Sequence, residues 1–514
     1  MKYYIPFILF LFSAFNSAQG QEIVELKKDD SNGVVLKYMF NTGSMMDPAG
    51  KEGLTQLTVA LMMGGGSENY SITEINDMLY PMAGQYSQSV DKEVTVFTFR
   101  VPVDFLSDFY DIISGMIFHP AFDEKDFERI KSNQLNYVEQ IIKASSDEDY
   151  SKMVLESMLF QGTGYQHMVA GSASGIRNIS LKDIRNHYRT YFTRDNLLIG
   201  IAGKYEEAFK KKVIQEARSL PPLSVRLPVP PAVKMPSGFQ VKIVSKDNAL
   251  GSAIFTGYPI DITRASDDFA ALMVANSWLG EHRKSYGRLY QKLRDIRSMN
   301  YGDYSYIEWY EQGGSNQLPP PHVPRHSNYF SIWIRPVQIA EQLKMQYPEL
   351  SDVRVGHAPF ALKLAVRELD MMIEKGISQE DFELTRQFLR SYIKLYIQTP
   401  SRELGYLMDS RFYGRKDYIA ELDALLEKLT VEDVNAAVKK YLQAENMYVA
   451  IITDDSEAEA LAENLRNNQP SAMSYSDIVR EGLPGDVIRE DKLVENYPLD
   501  VNSVEIIDSS ETFR

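Results

Sequence analysis

Few residues in this chain could do chemistry. Seven histidines and no cysteine are spread over 514 residues, so a metal site would need imidazoles and carboxylates brought together. One pair is close, His322 and His326 in PPPHVPRH. Prolines at 319, 320, 321 and 324 forbid a regular helix there, so the one-turn geometry of helical metal ligands is out of reach. That segment reads as a solvated loop with two unrelated histidines. A serine mechanism needs a base within hydrogen-bond reach of the nucleophile. Gly171-Ser172-Ala173-Ser174-Gly175 displaces the glycines of a Gly-x-Ser-x-Gly elbow, and reads as a loop before Ser180. His357-Ala358-Pro359-Phe360 reads as a helix start, because Leu362, Ala365 and Leu369 give the following segment a plain core face.

More telling is a segment from which chemistry is missing. Residues 53–66, GLTQLTVALMMGGG, form an apolar stretch closed by Gly64, Gly65 and Gly66. They read as a buried helix whose end is set by residues free to take positive φ. Gln56, Val59, Ala60 and Met63 share one face at helical spacing. The segment resembles the metal helix of the insulinase/pitrilysin metallopeptidases, the inverzincins, whose motif runs Gly-Leu-x-His-x-x-Glu-His before a glycine-containing turn. By that resemblance the two His positions are Gln56 and Ala60, and the Glu position is Val59. Aligning Phe127-Glu128-Arg129 puts the family's third ligand at Tyr137, with Glu139 the nearest carboxylate. Zinc chemistry needs two imidazoles at i and i+4 and a carboxylate to take a proton from bound water. Valine and alanine supply neither, so the chain is expected to hold no zinc or other cofactor and to be no enzyme on its own.

The resemblance extends to the second half. Residues 285–306, SYGRLYQKLRDIRSMNYGDYSY, read as a helix to about Ser298 followed by a strand, with Arg294 and Tyr301 seven apart. They are similar to the family's Arg/Tyr pair, which faces the zinc across a closed chamber and binds substrate near the scissile bond. A guanidinium fork and a phenol can both donate hydrogen bonds to a carbonyl oxygen that turns negative in the transition state. Arg297 and Tyr304 form a second pair at the same spacing. The resemblance therefore implies a non-catalytic subunit of an exported zinc-dependent peptidase complex, similar to the metal-free subunit of processing-peptidase-like enzymes. Its partner would be a zinc-bearing subunit of the same family, and its substrate a peptide or unfolded protein. The alternative is a stand-alone pseudopeptidase that binds peptides or proteins as scaffold or chaperone. One departure bears on peptide docking: where active members carry Gly-Gly-x-x-Asn-Ala before the strand that pairs with substrate, Ser87 and Gln88 hold the Asn and Ala positions.

These residues must be positioned by two copies of one unit. FDEKDFERIK at 122–131 matches ISQEDFELTR at 377–386, and residues 179–203 match 429–453 in the same order. Ser180-x-x-Asp183 and Thr430-x-x-Asp433 read as helix caps, each before a helix ending at Tyr191 or Tyr441. An apolar strand follows Asn196 and Asn446. VTVFTFRV at 94–101 and NYFSIWIRP at 328–336 read as strands buried on one face. The expected fold is α+β: two homologous domains, each a mainly antiparallel sheet packed with helices, facing each other across a chamber. The expected divisions are a signal peptide at 1–20, an N-terminal domain at 21–218, a proline-rich linker at 219–237, a C-terminal domain at 238–466 and an acidic tail at 467–514. Residues 313–328, GGSNQLPPPHVPRHSN, read as a long connection between two strands.

Composition narrows the setting. MKYYIPFILFLFSAFNSAQGQE has one Lys, an apolar run from Ile5 to Phe15 and a small-x-small site at Ala18-Gln19-Gly20. That run is too short for a membrane span of about twenty residues and reads as an export signal. The reading places the mature chain in the periplasm or outside a Gram-negative cell, with no stable membrane insertion after cleavage. A net charge of −15 argues against nucleic acid as a partner. Without cysteine, the exported chain relies on its cores alone.

Overall fold

The computed structural model describes residues 21–225, 234–308 and 318–514. The expected leader, the middle of the linker and residues 309–317 lie outside the described residues. Among the described residues, no helix is long and apolar enough to cross a membrane.

Two mixed sheets organise the chain. The first contains β1 (Ile23–Lys27), β2 (Gly33–Phe40), β3 (Gln85–Val90), β4 (Thr95–Pro102) and β5 (Leu197–Gly203), in the order β1-β5-β2-β4-β3. The second contains β6 (Phe239–Lys246), β7 (Ser252–Ile260), β8 (Asp303–Ile307), β9 (Asn328–Val337), β10 (Met447–Asp454) and β11 (Val501–Asp508), in the order β11-β6-β10-β7-β9-β8. β1 lies parallel to β5, and β6 lies parallel to β10 and β11; the other pairings are antiparallel. The duplication appears as the same succession in each half. The helix Leu54–Gly64 precedes β3 and β4 as Phe269–Gly280 precedes β8 and β9. The 122–131 and 377–386 matches open the helices Glu124–Asn136 and Gln379–Tyr396, capped by Asp123 and Ser378.

The central strands β5 and β10 are buried on both faces, whereas the edge strands β3 and β11 are not. Side chains alternate along a strand, and here both sets find a core. On β5, Ile199 and Ile201 pack with the first half's own helices, whereas Leu198 and Ala202 meet Leu404 and Met408 from the helix Pro400–Phe412 of the second half. On β10, Val449 and Ile451 pack inward, whereas Ala450 and Ile452 meet Met153 and Val154 from the helix Asp147–Leu159 of the first half. Each half thus lends one helix to the back of the other's sheet. That exchange removes the solvent-facing side an isolated antiparallel sheet would keep.

The acidic tail adds to the second sheet. β11 runs parallel to β6 at its edge, and Phe513 packs against Tyr150 at 5.7 Å between ring centres. The helix Gly485–Glu495 brings Glu490 and Asp491 to Arg297, at 2.8 and 2.7 Å.

Candidate functional site

The chamber between the sheets, about 1070 Å³ in volume, takes walls from both halves. On the first sheet the alternation of β4 turns Val96, Thr98 and Arg100 toward it, with Lys37 of β2 opposite Thr98. Ser87 to Val90 of β3 form its edge. From the second sheet come Tyr304 of β8 with Trp333 and Arg335 of β9. Among the described residues β3 pairs with β4 alone, so it is an edge strand whose outer row of N–H and C=O groups meets no other strand.

Gln56, at the first degenerate ligand position, lines this chamber; Val59 is fully buried beneath it and Ala60 is half-buried against the core. The helix is anchored at its start. The Asp47 carboxylate accepts from the backbone N–H of Gly53 and Thr55 and from Thr55 Oγ1, at 2.7, 2.7 and 2.6 Å. Burial pushes Asp47 up to about 7 against those hydrogen bonds. At its other end Gly66 takes φ 81° just past the last turn. Gln134 Nε2 donates to the carbonyls of Gly53 and Ala170, docking the Glu124–Asn136 helix against that anchor. Tyr137 then opens a short π-helical stretch, Tyr137–Ile141, and Glu139 is ion-paired with Arg177. Among the described residues no group of three or more His, Asp or Glu is placed to hold a metal.

Arg294 and Tyr301 come together, but not in this chamber. Arg294 sits on the π-helical segment Tyr290–Asp295; its Nη1 donates to the Tyr301 carbonyl at 3.2 Å and its guanidinium lies 5.8 Å from the Tyr301 ring. Tyr301 is 74 % exposed and precedes β8. Both line a separate, more open concavity with Leu250, Pro336 and Val337. The side chains that the second half does bring to the chamber include His282, Arg283, Tyr304 and Arg335. The second candidate pair is divided: Tyr304 faces the chamber, whereas Arg297 is buried against the tail.

The PPPHVPRH segment is also corrected. From Leu318 onward it is wedged between the halves, because its charged side chains find carboxylates on the first half. Arg325, 1 % exposed, grips Asp91 with two bonds of 2.7 and 2.6 Å. Lys92 reaches Glu156 at 2.9 Å, and Glu156 lies 3.5 Å from Arg325. His326 Nδ1 lies 2.7 Å from Glu93, which holds the ring above its ordinary range. His322 Nε2 lies 2.6 Å from Lys37 Nζ. Burial, with the charges of Lys37 and Arg100, depresses His322, so its neutral ring accepts from Lys37. Lys37 is itself lowered to about 7 by burial, against the pull of Asp409. The glycine-serine run is likewise no plain loop: Ser172 caps a short helix, Ala173–Asn178.

Sequence reasoning passed over Arg100, Arg283 and Arg335. Two of them carried a signal, since Arg100 and Arg335 each interrupt an apolar strand, at VTVFTFRV and NYFSIWIRP. A cation in such a run marks the face that meets solvent or a ligand.

The chain matches the model described as Insulinase (Peptidase family M16) over residues 23–172 and that described as Peptidase M16 inactive domain over residues 178–389. The chain belongs to the insulinase family. It is 23% identical over 305 residues to the uncharacterized zinc protease YmxG of Bacillus subtilis, covering 58% of this chain and 71% of that one. It is 20% identical over 425 residues to the non-peptidase homolog YmxG of Helicobacter pylori, covering 82% and 88%. A solved peptidase M16 inactive domain from Pseudomonas fluorescens shares the fold with a TM-score of 0.71 at 19% identity, covering 85% of this chain and 96% of that one.

Proposed function

We propose that this chain is the non-catalytic subunit of an exported zinc-dependent peptidase complex. The observation that carries the reading is a chamber between the two sheets, lined by the edge strand β3, at which Gln56 occupies a position where the family places a zinc ligand. In this reading a partner chain of the same family brings the zinc, and this chain holds the peptide. Substrate pairs along β3 by strand addition. It then passes the end of β9, where Arg335 lines the chamber and Pro336 and Val337 line the outer concavity. There it meets Arg294 and Tyr301. The leader expected at 1–20 would place the complex in the periplasm or outside the cell.

The mature chain, captured from its own exported fraction, is expected to bring a second chain with an intact His-x-x-Glu-His motif, with zinc and peptidase activity only in the complex. Replacing Arg294 by Ala or Tyr301 by Phe is then expected to leave folding intact and weaken turnover by the complex. Unchanged kinetics would remove both residues from substrate binding. A chain that elutes alone, metal-free and inactive but loaded with assorted peptides, would replace the subunit reading with a stand-alone binder.

A further inference from the structure

The chamber's charge is opposite to that of the molecule around it. The whole chain carries −15, yet the carboxylates on the chamber wall are already taken. Asp91 is held by Arg325 at 2.7 Å, Glu148 by Arg335 at 2.7 Å and Asp149 by Lys152 at 2.7 Å. Three guanidiniums on the same wall have no such partner. Among the described residues no carboxylate lies within ion-pair distance of Arg100, Arg283 or Arg402, which come from the first sheet, the turn after the Phe269–Gly280 helix and the start of the Pro400–Phe412 helix. A guanidinium is always charged and presents a fork that fits a carboxylate. Three of them around one cavity, with their own acids absent, form a site waiting for an anion.

The shape of the site says which anion. At about 1070 Å³ the chamber is at the upper end of the range for small-molecule pockets. It also offers the unpaired edge of β3, whose Gln85 lies opposite Arg100 on β4. A free dicarboxylate would use the guanidiniums and leave that edge unsatisfied; an extended chain uses both. Side chains of an added strand alternate, so every second one points into the chamber.

We propose that the chamber binds extended peptide segments carrying Asp or Glu at alternate positions, held by Arg100, Arg283 and Arg402. This names the substrate class for the chamber proposed above, and rests on that reading only in taking the occupant to be a peptide. The acidic exterior then has a complementary use, since it repels such segments everywhere except at the cavity.

The test is fluorescence anisotropy on the full mature chain, with labelled octapeptides of equal hydrophobicity bearing Glu, Gln or Lys at alternate positions. The Glu peptide is expected to bind tightest, and to weaken as salt rises from 50 to 300 mM. Arg100→Gln, Arg283→Gln and Arg402→Gln should each weaken it about fivefold and leave the Gln peptide unchanged. The triple replacement by Glu should turn the preference to the Lys peptide. Equal binding of all three peptides would overturn the acidic class while leaving a peptide-binding chamber. Displacement of the Glu peptide by free glutamate at a similar concentration would overturn the peptide in favour of a small anion. Failure of every peptide to bind would overturn both the class and the chamber reading. Acidic-peptide binding by a chain that captures no zinc-bearing partner would leave this inference standing and remove the subunit.

Discussion

The two halves meet at two kinds of seam. Where they exchange helices the seam is apolar: Leu404 and Met408 lie on β1, β2 and β5, and Met153 and Val154 lie on β7 and β10. Beside the chamber the seam is ionic, with Asp91, Lys92 and Glu156 of the first half enclosing Arg325 of the second. Apolar contact is non-directional and tolerates sliding, whereas a bidentate guanidinium–carboxylate pair fixes both distance and angle. The exchanged helices account for adhesion. The ionic seam sets how the walls of the chamber face each other, and it is built from a segment whose prolines already restrict its backbone.

Breaking the ionic seam should therefore cost most. Arg325→Met leaves Asp91 buried without its partner and Glu156 with Lys92 alone, and is expected to destabilise the chain by about 3–5 kcal/mol. Urea unfolding measures this, and Asp91→Asn added to that variant should recover part of the loss. If Arg325→Met is as stable as the parent, the seam does not hold the halves. The apolar seam can be tested with one residue. Gly200 lies directly under the exchanged helix, where a Cβ would press on Met408 and come within 3.2 Å of Leu404. Gly200→Val is expected to cost about 1–3 kcal/mol by overpacking, read by the same unfolding experiment. It should also leave the contacts of Arg325 in place, so the two variants together should be additive.

What could be read from the sequence divides along the same line. The α+β class and the duplicated order of elements were legible, because caps, periodicity and repeated words are local. The helix that carries Gln56, Val59 and Ala60 was legible for the same reason. The wedge at Leu318 to Ser327 was not, since its burial depends on Asp91, Glu93 and Glu156, more than 150 residues away in the chain. Arg294 and Tyr301 show the limit of spacing alone. Seven residues brought them together, but Ser298 at φ 53° and Gly302 at φ 151° bend the backbone between helix and strand. That bend leaves Tyr301 outside, and Tyr304 becomes the tyrosine that faces the chamber.

The smallest expected effect asks how far the two halves remain equivalent. Ser180 and Thr430 occupy corresponding places and form the same capping box. Each hydroxyl accepts from the N–H three residues on, at 3.3 Å from Asp183 and 3.2 Å from Asp433, and each of those carboxylates accepts in return from the cap's own N–H, at 2.9 and 3.0 Å. Both lie at the surface, so removing either should act through the helix end alone. Ser180→Ala and Thr430→Ala are each expected to cost about 1 kcal/mol. The first sits on the half that also carries Lys51 on the Asp183 carboxylate, whereas Asp433 has no cation within ion-pair distance among the described residues. Burial alone would raise Asp183, but Lys51 and Ser180 hold it below its ordinary range, and Thr430 does the same for Asp433. A carboxylate depressed in the folded state stabilises above its unfolded pKa and loses that contribution as pH falls through the folded value. The cap losses should therefore shrink below pH 4. Added salt should weaken the Ser180 end more than the Thr430 end, because only the former relies on an ion pair. Equal salt dependence would mean that Lys51 contributes nothing and that the two ends are physically the same device.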